Sequence, residues 1–265
     1  MTQSRREEAL ARLQPYVDRA RSFTGWDFPG MPVPRPLEPG PSWDYAGLVR
    51  ERARGAQSAL DLGTGGGEFV ESVRGDLPAL TVATEEWHVN APIAHRRLTS
   101  LGADLVWCRS LHLPFEEETF DLVFDRHEEL DPHEVARVLR PRGQVVTQQV
   151  GPNNWIELQR YFGGATSGHR GTSRIADFGD IRGDYARGFL EAGLVLTRNE
   201  QHDYKIAYQE LGLLVFMLLI TPWTIPDFDV ERDLDVLLAL EEACTTEDGL
   251  VMTFSRFLLV AEKPA

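Results

Sequence analysis

The sequence predicts an α/β fold, a doubly wound and mostly parallel sheet, and three observations carry that expectation. From Ser58 onward, short apolar runs alternate with helical segments, the pattern of βαβ units. A glycine loop, Gly63-Thr64-Gly65-Gly66-Gly67, lies between an apolar strand and a helix with Phe69, Val70 and Val73 on one face. Helix ends are also marked: Asn90 precedes Pro92 with Gly102 beyond the far end, and Asp131-Pro132 opens a helix that stops near Pro141.

The elements follow in order. Leu10, Leu13, Val17 and Ala20 are spaced for a helix over residues 5–23, and the six prolines between Asp27 and Pro41 then make an extended connector. Strands are expected at Ala59–Leu62, Leu80–Thr84, Asp104–Cys108, Asp121–Phe124 and Gln144–Val150. Gly151–Gly183 has no sustained period and holds glycines at 163, 164, 168, 171, 179 and 183, so it reads as a loop-rich insertion. A capped helix is expected over Asp184–Gly193, a buried one over Leu211–Ile220, and an amphipathic one around Val230, Leu234, Leu237 and Leu238. Leu194–Ala207 and Val251–Ala261 are left for the far edge of the sheet. The organisation is therefore an N-terminal helix and Pro-rich connector or lid (1–41), a ligand-binding core (42–150), the insertion (151–183), and the completion of the sheet with a hydrophobic cap near 207–245 (184–265).

Composition bounds the partners. Against 27 Lys and Arg stand 41 Asp and Glu, a net charge of −14 that repels polyanions and disfavours nucleic acid. Cys108 and Cys244 have no metal or disulfide spacing, so no metal is expected and a reducing cytoplasm fits. The charged amino terminus lacks a secretory h-region, and the apolar run at 211–220 is about half a membrane span.

The loop context, Ala59-Leu60-Asp61-Leu62-Gly63-Thr64-Gly65-Gly66-Gly67-Glu68, discriminates between two ligand classes. A dinucleotide fingerprint needs Gly or Ala where this chain has Glu68, and a carboxylate there repels a pyrophosphate. S-adenosylmethionine carries an ammonium and a sulfonium and no phosphate, so Glu68 and Asp61 suit it better. Glu85, 22 positions after Gly63 at the end of the second strand, is placed to accept from both ribose hydroxyls, with Glu86 as the adjacent alternative.

The segments ALDLGTGGGEF (59–69), TVATEEW (81–87), LPFEEETFDLVFDRH (113–127) and EVARVLRPRGQVVTQQV (134–150) together make the chain resemble the class I S-adenosylmethionine-dependent methyltransferases, of the small-molecule bacterial type. The resemblance spans about 43–151 and implies a Rossmann-like, seven-stranded sheet with an antiparallel last strand, carrying the N-terminal helical extension and lid insertions. It also implies that Asp61, Gly63, Thr64, Gly65 and Gly67 hold the methionine part of the cofactor, Glu85 or Glu86 the ribose, and the segment before Leu113 the adenine. The family often has an acid where this chain has Arg109, which cannot accept a hydrogen bond. Arg109 therefore stacks on the ring, leaves Ser110 and Leu111 backbone groups to read the adenine edge, or is merely exposed.

Ligands on open α/β sheets bind beyond the carboxyl ends of strands, which places Asp125, Arg126, His127 and Glu128 after the fourth strand and Gln148 and Gln149 after the fifth beside the acceptor, with Asp125 and Arg126 also expected to contact the cofactor. His127 is the first candidate for a general base and Glu128 the second, while a structural hydrogen bond or cofactor contact is the competing role for His127. Asn153, Asn154 and Trp155 either line the acceptor pocket or form a turn, and His133 is read as surface. Trp26, Phe28 and Trp43, with the helix at 211–220 and Trp223, are candidate lids for an apolar acceptor; a buried cap or a homodimer contact would need the same residues. The expected activity is methyl transfer to a small molecule. An RNA or protein methyltransferase and a non-catalytic cofactor-binding protein are the alternatives, and a nicotinamide oxidoreductase is disfavoured by Glu68.

Overall fold

The computed structural model describes residues 3–26, 28, 30–163 and 179–265. In chain order the elements are α1 (Gln3–Arg21), β1 (Arg35–Pro36), α2 (Tyr45–Ala53), β2 (Ser58–Leu62), α3 (Glu68–Val73), β3 (Leu80–Glu85), α4 (Ala91–Ser100), β4 (Asp104–Trp107), β5 (Phe120–Arg126), α5 (Pro132–Val138) and β6 (Leu139–Val150). They continue with α6 (Ile156–Phe162), α7 (Ile181–Glu191), β7 (Val195–Tyr208), α8 (Leu211–Ile220), α9 (Leu234–Cys244), β8 (Thr245–Thr246) and β9 (Gly249–Glu262).

One sheet runs in the order β1-β7-β9-β6-β5-β2-β3-β4, with β8 paired to β9. β4, β3, β2, β5 and β6 are mutually parallel, while β9 is antiparallel to both β6 and β7. Setting aside the two-residue strands β1 and β8, this is the expected seven-stranded sheet with its last strand antiparallel and inserted beside β6. β2 is buried along its whole length, so Ser58–Leu62 shows no alternation of exposed and buried positions, and its two polar side chains, Ser58 and Asp61, are enclosed with the apolar ones.

Helices cover both faces. Val49, Phe69, Val70 and Leu98 from α2, α3 and α4 bury one face, and Val135, Val138, Tyr185 and Phe189 from α5 and α7 bury the other. A third core joins α1, α6, α8 and α9 over the ends of β7 and β9 that project past the parallel strands. α8 spans Leu211–Ile220 as expected and is apolar all round, as a helix enclosed by neighbours should be. Gly212 permits its contact with α1, because a Cβ there would strike the Tyr16 ring. Among the described residues no helix is long and apolar enough to cross a membrane.

Four local expectations need correction. Asn90 does not cap α4 with its side chain; its Oδ1 accepts from Gly25 N at 3.0 Å, tying the connector to the core. α5 ends at Val138 and β6 begins at once at Leu139, because Glu118 and Thr119 amides bond Arg137 and Val138 carbonyls and draw the chain into the sheet early. α7 starts at Ile181, capped by Asp180, whose carboxylate accepts from Gly183 N. The expected loop from Gly151 includes α6, while 164–178, with Gly164, Gly168 and Gly171, lie outside the described residues.

Candidate functional site

β2 ends on a loop whose shape demands glycine. Gly63, Gly65 and Gly67 have φ of +60°, +62° and +85°, and a Cβ at the three positions would meet Glu128, Trp26 and Leu98 respectively. Four loop amides are already used: Gly63 N donates to Thr84 Oγ1 (3.2 Å), Thr64 N to Thr84 O (2.8 Å), Gly65 N to Glu85 Oε2 (2.7 Å) and Gly67 N to Thr64 O (3.0 Å). Glu68 folds back beside Gly25 and Gly66 and pairs with Arg97 at 2.6 Å, laying a carboxylate over the start of α3. A pyrophosphate would find most of the loop amides spent and a carboxylate over the helix start.

A cationic ligand finds the opposite. Asp61 is 3 % exposed at the end of β2, its Oδ2 has no hydrogen-bond partner, and burial and nearby Glu85 push its carboxyl up to about 7 against the opposing pull of Thr64 and Arg126. Thr64 Oγ1, beside it, is likewise buried and without a bond of normal geometry. Glu128 packs against Gly63 with Ser110 at its carboxylate; burial, then Glu85 and Glu86, push it up to about 7 as well. Glu85 is raised chiefly by burial, although its two oxygens accept from Gly65 N and from Trp87 N, both at 2.7 Å. Three carboxylates whose pKa values burial raises are what an ammonium or sulfonium would relieve.

The other expected site residues fall into two groups. Asp125 lies beneath the cleft and does not line it: it is fully buried and accepts from Glu128 N (3.0 Å), Thr147 Oγ1 (2.9 Å) and Gln149 Nε2 (2.5 Å), so it braces the strand ends. Glu86 is exposed and pairs with Arg109 at 3.1 Å, which leaves Arg109 on the surface and Ser110 buried behind it. His133 is exposed in the first turn of α5. Leu111 is half-buried.

His127 has φ +71°, a left-handed conformation held by its N–H to Gln148 O at 2.8 Å, and Gln148 is itself fixed by Trp43 Nε1 at 2.8 Å. The residue is exposed, just past the end of β5, with protein around its ring. Desolvation, then Arg256 and Arg126, hold its pKa well below the ordinary histidine value, and the ring is neutral at pH 7. Arg126 lies over the Phe69 ring at 4.8 Å. Asn153, Asn154 and Trp155 form the left-handed turn into α6; Asn154 Oδ1 accepts from Arg256, and Trp155 packs into the cap.

Above the glycine loop sits an aromatic lid. The Trp26 ring lies 2.5 Å from where a Gly65 Cβ would be, and it joins Trp223 (6.2 Å), which meets Trp87 (6.0 Å); Phe23, Phe28 and Phe216 continue the cluster. Trp87, Arg97 and Arg256 were not among the expected site residues. Arg256 had a readable signal, a lone charge inside the apolar run of β9, whereas the pairing of Arg97 with Glu68 needs the approach of α4 to α3.

Residues 60–147 match a family model described as a methyltransferase domain. That match covers the strands and helices from β2 to β6, the part of the chain that carries the glycine loop. A protein of Bacillus halodurans C-125 described as a candidate methyltransferase is 19% identical with a TM-score of 0.58, covering 84% of this chain and 99% of its own. The YcgJ protein of Bacillus subtilis is 16% identical with a TM-score of 0.57, covering 83% and 98%. The [4+2]-cyclase SpnF is 15% identical with a TM-score of 0.51, covering 97% and 94%. At these identities the likeness is one of fold, and one fold hosts several reactions. No curated protein sequence matches the chain.

Proposed function

We propose that the protein transfers the methyl group of S-adenosylmethionine to a small organic acceptor bound between the carboxyl edge of the sheet and a lid formed by residues 20–45 and 207–225. One observation carries the cofactor placement: Asp61, Glu85 and Glu128 converge on a glycine loop, four of whose amides are internally bonded, which suits a cation better than a phosphate. The orphaned Oδ2 of Asp61 fits the cofactor's ammonium, and the second lone pairs of the Glu85 oxygens fit ribose hydroxyls. When bound, the cofactor supplies an activated methyl on a sulfonium.

The chain's own residues position and exclude. Glu128 and Asp61 offset the cofactor's charge, while Trp26, Trp87 and Trp223 keep water from the loop. Arg109, paired with Glu86, leaves adenine to backbone groups around Ser110 and Leu111. A neutral His127 can accept a proton from the acceptor, and its strained backbone aims the ring into the cleft mouth. The net charge of −14 favours a metabolite over RNA, and the two free thiols accord with a cytoplasmic setting.

The test is direct. S-adenosylmethionine and S-adenosylhomocysteine should raise the melting temperature and NADH should not. S-adenosylhomocysteine should accumulate with a small acceptor; equal stabilisation by NADH, or methylation of total RNA in preference to every metabolite screened, would overturn the reading.

A further inference from the structure

The sheet's antiparallel half brings a second kind of charge to the cleft. Arg256 stands on β9 with β6 on one side and β7 on the other, opposite Val150 and His202. Its guanidinium stacks on Phe254 at 4.8 Å, and Nη1 donates to two neutral oxygens, Asn154 Oδ1 and Ser255 O, both at 2.7 Å. Nε and Nη2 have no acceptor, and no carboxylate pairs with it among the described residues. Its pKa is lowered by burial, against the weak opposing pull of Tyr204 and Tyr208. Beside it the Tyr208 hydroxyl is fully buried with no partner of normal geometry. Arg126, after β5, likewise has no ion pair among the described residues.

In a protein with 41 acids against 27 bases, many arginines are matched, as Arg97 is to Glu68, Arg109 to Glu86, Arg137 to Glu134 and Arg140 to Asp121, whereas Arg256, like Arg74 and Arg182, meets only neutral oxygens and alone of these three stands opposite Val150 at the carboxyl end of β6. Burying a guanidinium against neutral groups is costly, and a fork of unused N–H donors matches a carboxylate or phosphate in shape and charge. Arg126 stands opposite Gln148 and Arg256 opposite Val150, both at the carboxyl end of β6, so they mark the sheet edge where an acceptor would lie.

Resting on the methyltransferase reading above, we propose that the methyl acceptor carries an anionic group, carboxylate or phosphate, which the free edge of Arg256 receives with Arg126 completing the wall, while the aromatic rings around Phe254 hold its apolar body. An anion there would also relieve the two cations' pressure on His127 and raise the pH at which the ring protonates.

The experiment uses the full chain saturated with S-adenosylhomocysteine and three probes sharing one ring: 4-hydroxybenzoate, 4-hydroxybenzamide and 4-hydroxyphenyl phosphate. Calorimetry should show at least one anion binding about tenfold or more tightly than the amide, the loss expected when a charged hydrogen bond becomes neutral. Which anion is tighter identifies the headgroup. Arg256→Gln should remove most of that preference and Arg256→Lys keep part of it, and Arg126→Gln, at an exposed position, gives a second reading if the Arg256 variants fold poorly. In wild-type protein the tighter anion should move the His127 imidazole titration upward by NMR. Equal binding of amide and anions, no anion binding at millimolar concentration, or an unchanged preference in both glutamine variants overturns the proposal. Titration of S-adenosylhomocysteine alone separates the causes: its failure to bind defeats the cofactor reading, whereas normal binding without anion preference defeats this inference alone.

Discussion

The cleft sets two kinds of charge side by side. Around the glycine loop, Asp61, Glu85 and Glu128 are crowded and their pKa values raised; Arg256 on the antiparallel β9 and Arg126 at the end of the parallel β5 have no ion pair among the described residues, and both depress His127. The acids thus gather at the loop after β2 and Arg256 stands on the antiparallel side, with Arg126, which also pulls on Asp61, on the strand between. Such a split makes sense if a cation and an acceptor of the opposite sign are to meet in the middle, each replacing the counterion that its wall lacks.

The most damaging change to the acidic wall is Gly65→Val. With φ at +62° and Trp26 where the side chain would go, it should abolish detectable S-adenosylhomocysteine binding in calorimetry while the far-ultraviolet circular dichroism is kept. Retained affinity would show that the loop does not touch the ligand.

Between the walls, His127→Ala should lower turnover by about 10² to 10⁴ and leave cofactor affinity nearly unchanged, if the ring is the base. Equal losses in both would move His127 to the cofactor side. Unchanged turnover would leave positioning as the whole of the chemistry.

Smaller effects sharpen the acidic side. Glu85→Ala should weaken cofactor binding by about 1.5 to 3 kcal/mol, the range for hydrogen bonds to a charged group, and Glu86→Ala by less than about 0.5 kcal/mol because Glu86 is exposed and paired with Arg109. Calorimetry ranking them in reverse would assign the ribose to Glu86.

Proton linkage gives a further measure. Asp61 and Glu128 sit near 7 in the free protein and lower in an unfolded chain, so the stability they contribute is present at pH 4 and is lost as pH rises through 7. The melting temperature of the free protein should therefore gain from lowering the pH from 8 to 6. A bound cation lowers both pKa values, so cofactor affinity should move the other way and rise with pH over that window, with proton release on binding near pH 7. Calorimetry in buffers of different ionisation enthalpy checks the release, and its absence would remove these two carboxylates from the cation site.

The parallel half was legible because its signals are local. Gly63, Gly65 and Gly67 are fixed by backbone shape, β2 by Ala59, Leu60 and Leu62 just before them, and Glu85 by the length of one βα unit. Asp131 caps α5 from adjacent residues, as its sequence implies. What escaped depends on distance in the chain: Asn90 spends its side chain on Gly25, 65 positions away, and so does not cap α4. Arg256 meets Asn154 across 102 positions, through a strand order that composition does not disclose. Asp125 looked like a cleft residue for its place at a strand end, but strand parity turns it into the braced interior with Thr147 and Gln149.

The lid has a consequence for observation as well as for chemistry. Three of the six tryptophans, Trp26, Trp87 and Trp223, form one chain of neighbouring indoles above Gly65, and each is partly exposed, at 37 %, 40 % and 45 %. Anything that enters beneath them changes the polarity around half of the protein's indoles at once. The intrinsic emission of the unlabelled protein is therefore a built-in meter of occupancy, and Trp26→Phe would mute it without touching a single carboxylate.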